Sequence, residues 1–239
     1  MYYNYLLPDK EKCLSMCSLR AQKKINLAPH LKLVSGISVT ETDLREALRL
    51  DKIVYDKFDE GQFNIEKCLA WYSINPDIYF ILKDLELDTV VGYVNLVPIE
   101  ISCYNKIASG SIWDTAIEDS NVLPYNHPGL YHLYFTSIAV NPLYRNMSTF
   151  LNLIDAVASK LTDLSKREIY FKAMIADAVT PVGEKICRIF GMNLIKKTNH
   201  DSRVYEISFI PPSFRRSSAS LNSLAEIYEQ LIFDVEGAY

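Results

Sequence analysis

The stretch Tyr131–Leu161, Y-H-L-Y-F-T-S-I-A-V-N-P-L-Y-R-N-M-S-T-F-L-N-L-I-D-A-V-A-S-K-L, decides how the chain folds. Its first half is rich in apolar and β-branched residues that suit a strand, and Pro142, with no N–H to donate, ends the ladder. Beyond the proline, Phe150, Ile154, Val157 and Leu161 recur at helical spacing and form one buried face. A strand therefore feeds through a turn into a helix N-terminus. Such a terminus carries unpaired backbone N–H groups and the positive end of the helix dipole, so it suits an anion such as phosphate. Arg145 adds a permanent charge, and the hydroxyls of Ser148 and Thr149 either bond a phosphate oxygen or cap the helix.

Upstream, Leu31 to Val39 reads as a strand. Thr40-Glu41-Thr42-Asp43 then caps a helix with Leu44, Ala47, Leu48, Val54 and Phe58 at helical intervals. A second helix runs from a cap at Asn64 to the stop at Asn75-Pro76. Asp77 to Lys83 and Thr89 to Val97 form a hairpin around the polar K-D-L-E-L-D. Downstream, Arg167 to Ala176 is a strand, Thr180-Pro181 a cap with a first-turn proline, and Gly191 a C-terminal cap. Met192 to Lys196 and Arg203 to Ile210 close the series as two strands around T-N-H-D-S. The order is strand, two helices, three strands, helix, strand, helix, two strands. It predicts an α/β (α+β) fold.

The segment I-A-V-N-P-L-Y-R, residues 138–145, resembles the GNAT family of acyl-CoA-dependent N-acyltransferases, in which I-A-V-x-P-x-Y-R leads from the fourth strand into a pyrophosphate loop written Q/R-x-x-G-x-G/A. T-V-V-G-Y-V-N-L-V-P, residues 89–98, is similar to the third strand of that family, V-G-x-x-x-L-x-P. The predicted element order matches the GNAT order over roughly Leu31 to Ile210, and the resemblance implies a GNAT-like fold with a mixed, mainly antiparallel central sheet flanked by helices. The sequence departs from the family where Ser148 and Phe150 hold the glycine positions of the loop. Glycine there lets backbone approach the pyrophosphate, although a helical Cβ points away from the N–H groups.

The resemblance implies acetyl-CoA as co-substrate, an amine acceptor, and direct attack of the amine in a ternary complex. It assigns the pantetheine arm to backbone of Ile138, Ala139 and Val140, and the diphosphate to Arg145, Asn146, Met147, Ser148, Thr149 and Phe150. The family's N-x-x-A-x-x-x-Y-x-x-x-G-F pattern falls on T-P-V-G-E-K-I-C-R-I-F-G-M, with Thr180 at the asparagine and Cys187 at the proton-donating tyrosine. A thiol of ordinary pKa, about 8.5, can protonate a thiolate, and a cysteine is also a common small core residue. His132 and Tyr134 share a strand face, and a histidine near neutrality can take an amine proton through water. The alternative for His132 is an ordinary exposed strand residue. Degenerate glycines and the missing tyrosine support a second reading, a catalytically inactive GNAT-like module that binds acyl-CoA or a protein.

The 239 residues carry a formal charge of −4, which excludes a general nucleic-acid binder, since neutralising phosphates takes clustered Lys and Arg. Five cysteines without a repeated C-x-x-C spacing argue against a disulfide framework, and no partner set suggests a metal. No positively charged segment precedes an apolar run near the N-terminus, and no stretch of about 18 apolar residues is present, so a cytoplasmic location is expected. The organisation predicted is an N-terminal helical extension over 1–30, an acyltransferase-like domain over 31–212, and a linker with a C-terminal helix over 213–239. That helix carries Leu221, Leu224, Tyr228, Leu231 and Val235 as a stripe for the domain or for a second subunit of a homodimer.

Residues 98–130 are too long and too apolar for a simple connection and are expected to fold against the domain as an inserted lid. Their acidic residues Asp114, Glu118 and Asp119 are expected to draw a cationic amine.

Overall fold

Apolar side chains project from both faces of the middle strands, so the sheet needs a helical layer on each side. The computed structural model describes residues 30–55, 64–199, 201–214 and 218–236, with side chains of the last helix as far as 231. Residues 1–29 of the predicted N-terminal helical extension lie outside the described residues, as do Phe58 and the side chain of Val235.

In chain order the elements are β1 (Leu31–Ser35), α1 (Glu41–Val54), α2 (Ile65–Ile74), β2 (Tyr79–Asp84), β3 (Thr89–Ile99), α3 (Ile101–Ala108) and β4 (Gly129–Val140). There follow α4 (Met147–Ser165), β5 (Ile169–Ala178), α5 (Pro181–Phe190), β6 (Asn193–Lys197), β7 (Arg203–Ser208) and α6 (Ala219–Glu236). The sheet order is β1-β2-β3-β4-β5-β7-β6, and every neighbouring pair is antiparallel except β4 with β5. This is the mixed, mainly antiparallel sheet that the GNAT resemblance implies.

The helix ends follow local chemistry. Thr40 and Asp43 form a reciprocal capping box at α1, Asn64 accepts from the Lys67 amide at 2.9 Å to start α2, and Thr180 accepts from the Gly183 amide at 2.9 Å with Pro181 in the first turn of α5. Gly191 ends α5 at φ 86°, a left-handed conformation in which a Cβ is unfavourable.

Alternation on β2 divides the core. Phe80 and Leu82 face α4 and α6, whereas Tyr79 and Ile81 face α1 and α2. The 98–130 segment contributes to the second layer. It includes α3, where the residue pattern predicts no helix, and it buries Cys103, Tyr104, Ile107, Ile117 and Val122. Leu221, Leu224 and Tyr228 of α6 are buried in the first layer, against the domain itself.

Candidate active site

β4 and β5 run side by side from Gly129↔Ile169 to Tyr134↔Ile175, and their pairing stops there. β4 then continues to Val140 paired only with β3, while β5 turns to β7. Thr136 is the extra residue of a bulge between the Leu96↔Phe135 and Asn95↔Ser137 pairs, and its hydroxyl bonds Asn95. A bulge bends its strand and sharpens the twist, which helps to turn β4 from its neighbour.

A cavity of about 530 Å³ occupies the divergence. One end is apolar, walled by Phe135, Ala176, Ala178, Ile186 and Cys187. The other end, beneath α1 and the 98–130 segment, holds Asp51, Asp114 and Asp177 among tyrosines and Trp113, and Asp201 also lines the space. Residues of both core layers line it, so it passes through the sheet. Among the described residues, no Lys or Arg lines this space.

Burial governs the titrating groups. Desolvation raises the carboxyl of Asp51, against the hydroxyls of Tyr93 and Ser137 that bond it, and pushes Asp114 up to about 6. Asp177 accepts from the Ser202 hydroxyl at 3.1 Å. Desolvation pushes the Tyr55 phenol up to about 12, and that hydroxyl donates to the Ile138 carbonyl at 3.0 Å. The carbonyl that the resemblance reserved for a ligand thus already has a donor.

Of the residues the sequence singled out, Tyr134, Ile138, Asp114, Thr180 and Cys187 meet at the cavity. Cys187 is buried and its thiol is pushed up to about 12, chiefly by desolvation. Protonating a thiolate of ordinary pKa, about 8.5, from such a group is uphill by several pKa units, so the geometry gives Cys187 the part of a wall. His132 lies outside the lining. Its ring meets Tyr104 of α3 at 4.8 Å, Tyr104 donates to Glu206 at 2.6 Å, and burial lowers the imidazole pKa. Glu118 and Asp119 also stand outside the lining, on an exposed turn where Glu118 helps to cap the next residues.

The turn after β4 is pinned by side chains. The Asn141 side chain accepts from the Leu143 amide at 3.0 Å, Tyr144 donates to Asp84 at 2.6 Å, and Arg145 Nε donates to the Val140 carbonyl at 2.8 Å. The cap of α4 is Asn146, whose side chain accepts from the Thr149 amide at 2.9 Å, in place of the expected hydroxyls of Ser148 or Thr149. The first intrahelical bond runs from Phe150 N to Asn146 O, which leaves the Met147 and Ser148 amides as donors for an anion. The Phe150 ring packs on Phe190 of α5, ring centres 5.8 Å apart.

The sequence reading missed Asp51, Tyr55, Tyr93 and Ser137. A signal existed for Asp51, which continues the apolar stripe of Leu44, Ala47 and Leu48 and so cannot be on the solvated face of α1. Among the described residues no three His, Cys, Asp or Glu side chains group as metal ligands, and no helix is long and apolar enough to cross a membrane.

Neither a family model nor a curated protein matches the sequence. Solved structures do. The loading GNATL domain of CurA from Lyngbya majuscula aligns with 74% of this chain and 97% of its own length at 14% identity and a TM-score of 0.52. An acetyltransferase from Streptococcus agalactiae aligns with 75% of this chain and 98% of its own at 11% identity and a TM-score of 0.49. Arabidopsis thaliana Naa50, solved with the bisubstrate analogue CoA-Ac-MVNAL, aligns with 75% and 99% at 14% identity and a TM-score of 0.48. The fold is the GNAT fold.

Proposed function

We propose that this chain is an N-acyltransferase that moves an acetyl group from acetyl-CoA to a primary amine of a small molecule or protein, by direct attack in a ternary complex. One observation carries the reading: the diverging β4 and β5 enclose a cavity that is apolar at one end and acidic at the other. The apolar end suits the pantetheine arm, alongside backbone of Ile138, Ala139 and Val140. The Met147 and Ser148 amides and the charge of Arg145 are suited to the diphosphate, with Asn146, Thr149 and Phe150 shaping the turn that holds them. Thr180 fixes the start of α5 beside the arm.

The acidic end suits an ammonium group. Asp114 is mostly ionised at neutral pH despite its burial, and Asp177 lines the same space. A carboxylate in a partly desolvated cavity attracts a cation more strongly than one in water. Glu118 and Asp119 belong to this reading only as charges that draw a cation toward the cavity from outside. Tyr134 forms a wall of the acceptor end.

One observation favours the second reading, a module that binds without catalysis: Asn146 already occupies the Thr149 amide, a group a diphosphate would use. Melting temperature with and without acetyl-CoA tests both. A ligand at 100 times its Kd adds about 2.7 kcal/mol, a rise of roughly 5–10 °C for a chain of this size. The absence of a rise defeats both readings. Thiol release from acetyl-CoA on adding an amine then separates the enzyme from the binder.

A further inference from the structure

Asp51 is the carboxylate of the cavity that touches the strand along which the acyl arm is proposed to lie. Its Oδ1 accepts from the Tyr93 hydroxyl of β3 and from Ser137 Oγ of β4 at 3.1 Å, and those two hydroxyls are 2.9 Å apart. Among the described residues, its Oδ2 accepts no hydrogen bond, and the side chain lines the cavity. Ser137 is the residue after the bulge at Thr136, at the point where β4 has left β5. The next residue, Ile138, receives the Tyr55 hydroxyl on its carbonyl at 3.0 Å. One oxygen of Asp51 is therefore fixed by two donors, and the other is directed by that fixation.

The other acidic candidates lack this relation to the strand. Asp114 makes no hydrogen bond to β4 among the described residues, and Asp177 is held by Ser202 of the β6–β7 turn. His132 is under α3, outside the lining.

Resting on the N-acyltransferase reading above, we propose that Asp51 is the general base of the transfer, with Tyr93 and Ser137 as its positioning residues. As the amine nitrogen forms its bond to the thioester carbon, Oδ2 takes a proton from that nitrogen. The C–S bond then breaks and the sulfur leaves as a thiol. Starting from a primary ammonium, two protons leave the nitrogen: the first passes through Asp51 to water and frees the lone pair for attack, and the second, taken by Oδ2 as the N–C bond forms, is handed on to the departing sulfur. An ammonium and a thioester thus become an amide, a thiol and one free proton. A general base of this kind contributes roughly 10²–10⁴-fold.

The titrating groups that face Asp51 are Tyr55 at the C-terminal cap of its own helix, Cys68 from α2, Tyr79 from β2, Tyr93 from β3 and Asp114 from the 98–130 segment. Of these, Asp114 is the one carboxyl, so among the groups that face Asp51 it alone can share the acid limb of the rate profile. The variants separate them. Asp51→Asn removes the base, and Tyr93→Phe removes a donor that holds the Asp51 carboxyl down, so the limb moves to higher pH.

The test measures thiol release from acetyl-CoA with tyramine, spermidine and a tetrapeptide bearing a free α-amine, between pH 5 and 9, alongside melting with and without acetyl-CoA. The expected result is that Asp51→Asn keeps the acetyl-CoA-induced rise in melting temperature but loses about 10²-fold or more in kcat. Tyr93→Phe keeps turnover at pH 8 within about tenfold and shifts the acid limb of kcat/KM upward, which a structural role alone would not do. Asp51→Asn turning over within fivefold of the parent overturns the proposal and leaves the acyltransferase reading standing, as does an acid limb unmoved in Tyr93→Phe. A parent that binds acetyl-CoA yet releases no thiol with any of the three amines overturns the base and favours the binding module. A parent with no acetyl-CoA shift overturns both.

Discussion

Asp114 holds a charge that the folded protein disfavours. Its carboxyl rises from about 3.8 to about 6 because desolvation outweighs the neighbouring Lys67 charge and the bond from the Thr115 backbone. The sign follows from linkage: a carboxyl raised on folding costs stability above its folded pKa, and that cost disappears as pH falls toward the unfolded value. Asp114→Asn is thus expected to stabilise the protein at pH 7–8 by up to about 3 kcal/mol, with little effect near pH 4, as read from melting curves. On the proposed function the same change raises KM for a cationic amine, and in the parent KM rises as pH falls through about 6. Cys187→Ala is expected to leave turnover within a few-fold, since its thiol is held protonated and apolar in the wall. Asp114 was legible as a charge beside the acceptor, but its neighbours Glu118 and Asp119 were equally so. Only the path of the backbone separates an inward aspartate from two exposed acids.

At the level of elements, the turn into α4 replaces glycine with side-chain hydrogen bonds. Asn146→Ala removes the cap and is expected to cost about 1 kcal/mol. Because the Thr149 amide is then released, acetyl-CoA affinity is expected to hold or improve, and a tenfold loss by titration calorimetry would instead put the Asn146 side chain on the ligand. The divergence of β4 and β5 makes a second prediction. Ala176→Leu adds methylenes that enter the cavity, so the melting temperature of the free protein is retained while the rise given by acetyl-CoA is lost. The strand and helix of this junction were legible from composition and 3.6-residue spacing. The cap was not, because Asn146, Ser148 and Thr149 are all good capping residues and the choice rests on where the chain leaves the proline turn.

Across the whole molecule, the C-terminal helix completes the layer beneath the sheet. The Tyr228 hydroxyl accepts from the Phe171 amide of β5 at 2.7 Å, in a buried cluster with Phe209 and Leu224. Tyr228→Phe leaves that amide without its acceptor and is expected to cost about 1–3 kcal/mol, a fall of several degrees in melting temperature. The sequence by itself determined the order of strands and helices along residues 31–210 apart from α3, and the helix ends at Thr40, Asn64, Thr180 and Gly191, because these depend on near neighbours and on periods of 2 and 3.6 residues. Only the tertiary structure decided the site. Asp51 meets Tyr93 across 42 positions and Ser137 across 86, and Tyr55 reaches Ile138 across 83. Contacts at such separations depend on how far α1 extends over the sheet and on the bulge that turns β4 aside, and neither leaves a period in the chain.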